Sequence, residues 1–407
     1  MKKTELFAVC SIVVATSFVF SMAAPLVPLM AVSLGASPGM LGLLMGVAAI
    51  GALLAAIPSG FITRRFGARI PILLAIFLVG ASCLSLFIAP IFTNLFFTLT
   101  FFELGRTIFT VSSQYHVGGL PGTRDSSVNF GWYGTAAAVG QMIGPTLSGL
   151  SIDHLGYRAT WLIMAVIVIL TGAAVPYLMH KNKRRDGETD TGSRVGAQGT
   201  SSAETGSGSS RGETDRKQAR KMVNSVTLVG ILTSFIILFT VGTRKTFYPL
   251  YVQELGFSAS IIGIMLSLRA LTSVLTRMMI TPATRVLGGR FSTLIICMFA
   301  LAFGVGSTPL CRSIPTLALN SIFIGLGAGL AFPLSQATVF DSVEPSKRSV
   351  AMGVRLSGNR LAELVNPLFF GFLIQYTTLS TAFVFGGIVL FLVTVPILLW
   401  WMRHGYR

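Results

Sequence analysis

The chain has 407 residues, of which 52% are hydrophobic and only 11% charged, and its mean hydropathy of +0.74 excludes an ordinary soluble protein. Its 31 Lys and Arg against 14 Asp and Glu leave a formal charge of +17. With no soluble domain to present a basic surface, this excess does not signal a nucleic-acid partner, and its meaning lies in where the charges stand relative to the apolar runs.

A membrane-crossing helix takes about 20 mostly apolar residues, and cutting the chain at Gly, Pro and charged clusters yields twelve such stretches. In chain order they are expected at 6–32, 39–62, 70–90, 94–118, 127–152 and 158–179, then at 224–252, 258–281, 291–311, 314–341, 347–376 and 380–402. The first follows Lys2 and Lys3 and is too long for the apolar core of a signal peptide, so it reads as an uncleaved span. Cys10, Cys83, Cys297 and Cys311 lie within or at the end of separate apolar runs with no C-x-x-C spacing, which makes them packing residues rather than metal ligands.

Between the sixth and seventh stretches the composition changes to Gly, Ser, Thr and charges, as in Thr200-Ser201-Ser202-Ala203-Glu204. Such a segment cannot bury a core and reads as a disordered linker. The expected domains are therefore a six-helix bundle over 1–180, a linker over 181–223 and a second six-helix bundle over 224–407. Lys2, Lys3, Arg64, Arg65, Arg69, Arg124, the linker, Arg285, Arg290, Lys347, Arg348, Arg403 and Arg407 all fall on one side of this arrangement, against Arg158 and Arg312 on the other. Basic residues near short loops stay on the cytoplasmic side, so both termini and the linker are expected there, in a multi-pass protein of the cell membrane.

The two halves repeat. Pro28-Leu29, Leu34-Gly35, Gly67 and Arg69 recur 221 residues later as Pro249-Leu250, Leu255-Gly256, Gly288 and Arg290, and Gly105, Gln114, Gly131, Pro145 and Gly149 recur 222 residues later as Gly327, Gln336, Gly353, Pro367 and Gly371. Six spans per half keep the repeat in one orientation, an organisation known in carriers that rock two halves about a central site.

The loop after the second stretch reads Gly60-Phe61-Ile62-Thr63-Arg64-Arg65-Phe66-Gly67-Ala68-Arg69. It is similar to the G-x-x-x-D-R-x-G-R signature of the major facilitator superfamily, and the resemblance covers essentially the whole chain outside the linker. Gly67 suits a chain reversal, and the arginines suit the carbonyl end of a helix. Arg64 stands where the family usually has aspartate, which leaves the charge pair attributed to that aspartate without its acid. In the fifth stretch, Gly140, Gly144, Pro145, Ser148 and Gly149 resemble the pattern of drug-proton antiporters in the same superfamily, and small residues four apart allow close helix contact. The resemblance implies an all-α integral membrane fold of twelve helices in two pseudo-symmetric six-helix bundles, with spans 3, 6, 9 and 12 at the periphery and spans 4, 7, 8 and 11 lining the centre.

An ionisable side chain inside a span costs roughly 2.5–3.5 kcal/mol on insertion scales and is a functional candidate for that reason. The candidates are Glu103, Arg106, Arg244, Lys245, Arg269, Arg277, Arg355, Arg360 and Glu363, and they fall in spans 4, 7, 8 and 11. Glu103 with Arg106, and Arg360 with Glu363, stand three apart and share a helix face. A carboxyl that alternates between an apolar setting and an arginine alternates its proton affinity, so Glu103 or Glu363 is the expected proton carrier. The surplus of cations points to an anionic or carboxylate-bearing substrate held by Arg106, Arg269 and Arg360. Trp132, Tyr133, Tyr248 and Asn359 are softer contact candidates.

No G-x-x-x-x-G-K-[ST] or H-E-x-x-H motif occurs, and the two G-x-S-x-G matches, Gly35-Ala36-Ser37-Pro38-Gly39 between the first two apolar stretches and Gly208-Ser209-Ser210-Arg211-Gly212 in the linker, do not follow a strand as a nucleophile elbow requires, so neither ATP-driven transport nor hydrolytic chemistry is expected. The expectation is a monomeric secondary transporter without cofactor or metal, exchanging small organic molecules for protons in efflux. The alternative is a proton-coupled organic anion transporter. A ligand sensor with a transporter's architecture and a membrane-embedded enzyme are the readings from other classes.

Overall fold

A computed structural model describes residues 2–118, 126–178, 225–341 and 348–404. The expected linker, Arg124, Lys347 and Arg407 lie outside the described residues. The elements are α1 (Lys2–Ser33), α2 (Pro38–Phe66), α3 (Arg69–Ile88), α4 (Phe92–Gly118), α5 (Ser126–Leu178), α6 (Ser225–Thr246), α7 (Tyr248–Glu254), α8 (Ala259–Met278), α9 (Ile280–Val286), α10 (Arg290–Gly306), a 3₁₀ turn at Thr308–Leu310, α11 (Ile314–Asp341), α12 (Arg348–Tyr376) and α13 (Leu379–His404). Most carry apolar residues all round, as helices do when one side meets neighbours and the other meets lipid.

Nine stretches are long and apolar enough to cross a membrane, and α9 with α10 forms a tenth, bent by 97°. One of the nine, Gly131–Pro176, is 46 residues long, enough to cross twice. Within α5 only Gly156 leaves helical geometry, at φ 80°, where separate fifth and sixth helices are expected from sequence. α12 is 29 residues long and carries Arg355, Arg360 and Glu363, which lower its hydropathy but not its reach. Together these make twelve spans. The seventh is split rather than continuous, because α6 stops at Thr246 and α7 starts at Tyr248 with Pro249 in its first turn, where a proline without an N–H is tolerated.

The internal repeat is visible in the backbone. Gly35 and Gly256, which follow the first and seventh spans, have φ of 84° and 83°, and Gly67 and Gly288, which follow the second and eighth, have 73° and 76°. These left-handed turns suit glycine. Arg64 and Arg65 do not cap the carbonyls of α2: they lie over the rings of Phe61 and Phe66.

Small residues bring helices into contact at two levels. Gly140 and Gly144 of α5 press on Phe18 and Ser21 of α1, stitched by Ser21 Oγ donating to the Gly140 carbonyl (3.0 Å) and Ser148 Oγ to the Met22 carbonyl (2.8 Å). The first six spans meet the last six through a second set of glycines. A Cβ at Gly42 of α2 would strike the Pro367 carbonyl and come within 2.8 Å of Gly371 Cα on α12, and one at Gly263 of α8 would strike the Pro145 carbonyl on α5, as one at Gly149 would strike Ala259. Gly42 and Gly263, Pro145 and Pro367, and Gly149 and Gly371 are partners in the repeat, so the two contacts are related by the pseudo-symmetry. Both lie toward the face that carries the Gly35 and Gly256 turns, opposite the basic face of Arg64, Arg65, Arg69, Arg285, Arg290 and Arg403.

Gly105 of α4 has no room for a side chain: its Cβ would stand 2.8 Å from Val79 Cγ2 and 2.9 Å from the Ala75 carbonyl, whereas nothing lies within 4 Å at Gly60. Gly105→Val should cost about 1–3 kcal/mol by overpacking and lower the Tm of the detergent-solubilised protein, while Gly60→Ala should hold or raise it. Equal Tm values for the two variants contradict the packing.

Candidate functional site

The ionisable residues of the spans gather between the two halves of the chain in one layer and inside the second half in another. Glu103 on α4 anchors the first. Arg106, one turn on, donates Nε–H to Glu103 Oε2 at 2.5 Å, and Lys245 Nζ, from α6 in the other half, lies 3.5 Å from Glu103 Oε1. Glu103 is the most enclosed of the three, its side chain 9% exposed against 29% for Arg106 and 33% for Lys245. On α12, Arg360 Nη1 bonds Glu363 Oε2 at 2.7 Å, and Glu363 lies within electrostatic reach of Arg106. Both pairs expected from spacing therefore form, and the two pairs face each other across the interface.

Arg269 of α8 differs from these. Among the described residues no carboxylate pairs with it, its Nε has no hydrogen-bond partner, and its electrostatic neighbours are Arg244 and Arg277, both cations. A half-buried guanidinium in a membrane protein is costly without an acceptor, so Arg269, like Arg355 with its unpartnered Nη1 and Nη2, is a cation for which the described residues supply no acid.

The remaining candidates stand apart from this layer. Arg244 points into the second half, fully buried, donating Nη1 to Asn320 Oδ1 (3.0 Å) and Nη2 to Ser321 Oγ (2.6 Å) while its guanidinium stacks 3.4 Å from the Tyr248 ring centre. Neighbouring residues on a helix are about 100° apart, which is why Lys245 faces the interface when Arg244 does not. Arg355 is also fully buried, with Nε near Ser335 Oγ (3.4 Å) and the Phe332 ring beside it at 5.1 Å. Its repeat counterpart Tyr133 likewise meets Ser113, the counterpart of Ser335, at 3.2 Å. Asn359 is buried with its Oδ1 unpartnered. Trp132 is exposed near the basic face, and Arg277 is exposed.

Sequence reasoning overlooked the neutral polar residues that hold the second half together. Asn320 and Ser321 receive Arg244, and Asn366 donates Nδ2 to the Phe239 carbonyl (2.9 Å) and to Thr243 Oγ1 (2.6 Å). Their signal was their rarity, since an Asn within an apolar span needs a partner as a charge does.

The model of the Major Facilitator Superfamily matches residues 9–248 and 230–406, and the chain belongs to that family. It is a membrane transporter rather than an enzyme. No curated protein matches the sequence. Solved structures share the fold at 14% identity: a peptide transporter POT in complex with sulfate (TM-score 0.77, covering 98% of this chain and 94% of that one), a POT family transporter in complex with 5-aminolevulinic acid (0.74, 97% and 95%), and a bacterial homolog of the human lysosomal transporter Spinster in an inward-facing, occupied conformation (0.70, 97% and 94%).

Arg244 is a staple between α6 and α11 in this geometry. Arg244→Met would leave the buried Asn320 and Ser321 without their donor, at roughly 1–3 kcal/mol for each unsatisfied group. It should lower Tm in a thermal-shift measurement, whereas Arg269→Met should not, and an unchanged Tm for Arg244→Met contradicts the staple.

Proposed function

We propose that the chain carries small organic anions, carboxylates above all, by alternating access coupled to protons, with the basic face in the cytoplasm as charge distribution favours. The observation that carries this reading is the sharing of Glu103 between Arg106 of one half and Lys245 of the other, with Arg269 of α8 left without an acid among the described residues. A substrate carboxylate and the Glu103 carboxylate seek the same cations. When Glu103 is ionised it occupies Arg106 and Lys245. When it takes a proton it releases them, and the substrate carboxylate can take its place, with Arg269 as a further cation for a second anionic group. Proton and anion then enter together from the outside, and loss of the proton on the cytoplasmic side lets Glu103 reclaim its partners and expel the anion. Contact between the halves toward the outer face supports a state open to the cytoplasm, in which Glu103 holds both cations.

Efflux of cationic molecules in exchange for protons has less support. Glu103 and Glu363 are each bound to an arginine already, and Gly140 and Gly144 of the antiporter-like motif are engaged in packing on α1. The 5-aminolevulinic acid named for one structural neighbour is itself a carboxylate, in keeping with this choice of class.

Proteoliposomes given an inward proton gradient and a panel of labelled mono- and dicarboxylates test the reading. The wild type should accumulate at least one of them. Glu103→Gln should lose gradient-driven accumulation and keep counterflow, and Arg269→Ala should raise KM about 10–100-fold, the worth of one charged hydrogen bond. Accumulation unchanged in Glu103→Gln, or uptake of organic cations alone, overturns it.

A further inference from the structure

Helix α8 begins with the first N–H groups that no residue of a helix can satisfy from within. Its N-cap, Ser258, has the extended geometry of a capping residue (φ −69°, ψ 161°) yet makes no capping bond to its own helix. The cap comes from the other half of the chain. Asp153, beyond the glycine motif of α5, accepts the Ala259 N–H on Oδ1 (3.0 Å) and the Ser260 N–H on Oδ2 (2.7 Å), and the Ser260 hydroxyl also donates to Oδ2. Two side-chain oxygens thus take two backbone donors at the positive end of a 20-residue helix. Below them Thr146 donates its N–H (3.2 Å) and Oγ1–H (2.7 Å) to Ser267 Oγ.

The repeat supplies an internal control. Ser37, counterpart of Ser258, caps its own helix α2 by accepting the Met40 N–H at 3.2 Å. Gln375, counterpart of Asp153, is exposed; its Oε1 would stand 3.1 Å from a Cβ on Gly39 in the first turn of α2, but among the described residues no hydrogen bond joins it to that turn. One of the two pseudo-symmetric contacts between the halves is therefore closed by glycine packing with a neutral amide beside it, and the other by glycine packing plus a carboxylate that accepts two backbone N–H groups.

We infer that Asp153 is a one-sided clasp that holds the halves together at the face opposite the basic one, and that its release is part of opening that face. Opening must strip Asp153 from α8 and leave two N–H groups uncapped, a cost absent on the α2–α12 side, so the clasped state is the resting one. The clasp holds whatever the cargo is, and its test reads conformation rather than transport.

In a background lacking Cys10, Cys83, Cys297 and Cys311, spin labels at Ile91→Cys and Leu310→Cys, exposed positions on that face in each half, report the separation by electron–electron double resonance. The wild type should show mainly the short distance. Asp153→Ala should shift the ratio of long to short about tenfold, as loss of a helix cap predicts, Asp153→Asn should shift it by less, and Gln375→Ala should leave it in place. Monodispersity and Tm check that each variant is folded, and Asp153→Asn, which keeps the side-chain shape, carries the test if Asp153→Ala is not. A folded Asp153 variant with the wild-type distance distribution, or a Gln375→Ala shift as large as that of Asp153→Ala, overturns the clasp.

Discussion

A carboxylate enclosed within the membrane-spanning region needs positive partners, and Glu103 draws them from both halves of the chain. Arg106 comes from its own helix one turn away, and Lys245 comes from α6 across the interface. An isolated charge at this depth costs several kcal/mol, so three charges sharing one site constrain each other's position more strongly than apolar packing alone. The rest of the site follows from that constraint. Arg360 and Glu363 neutralise each other opposite, and Arg269 is left without an acid among the described residues.

Close packing sets where the halves can touch. Gly42 against Gly371, and Gly263 and Gly149 against α5 and α8, allow backbones to meet where any side chain would hold them apart. Because the same residues recur in both halves, a two-fold-like pair of contacts follows from one repeated unit. Charge breaks this symmetry. Glu103, Arg106, Lys245, Arg269, Arg360 and Glu363 all have Ala, Gly or Gln at the corresponding position of the other half, so the charges at the centre are not part of what the two halves share.

Much of this was legible in the sequence, and the reasons differ. The helical class and the spans follow from apolar length, and the repeat follows from glycines and prolines whose backbone roles are fixed, as the matched φ values at Gly35 and Gly256 confirm. Glu103 with Arg106 and Arg360 with Glu363 follow from helical spacing. Lys245 as the partner of Glu103 does not, because 142 residues separate them and only the packed structure brings them together. Arg244 and Lys245 look alike in sequence but face about 100° apart on one helix, and that turn sends one into the packed second half and the other to the interface. Asp153 was hidden for another reason. Its partners are backbone N–H groups, which every residue offers, so no residue type announces the contact.

The central claim is that Glu103 and Lys245 act as one unit across the interface. A double-mutant cycle with Glu103→Gln and Lys245→Met, read as the rate of anion counterflow in proteoliposomes, which Glu103→Gln retains, tests it most directly. If the two form a unit, the double variant is no slower than the worse single variant. Losses that multiply, as they do for independent sites, would contradict the account.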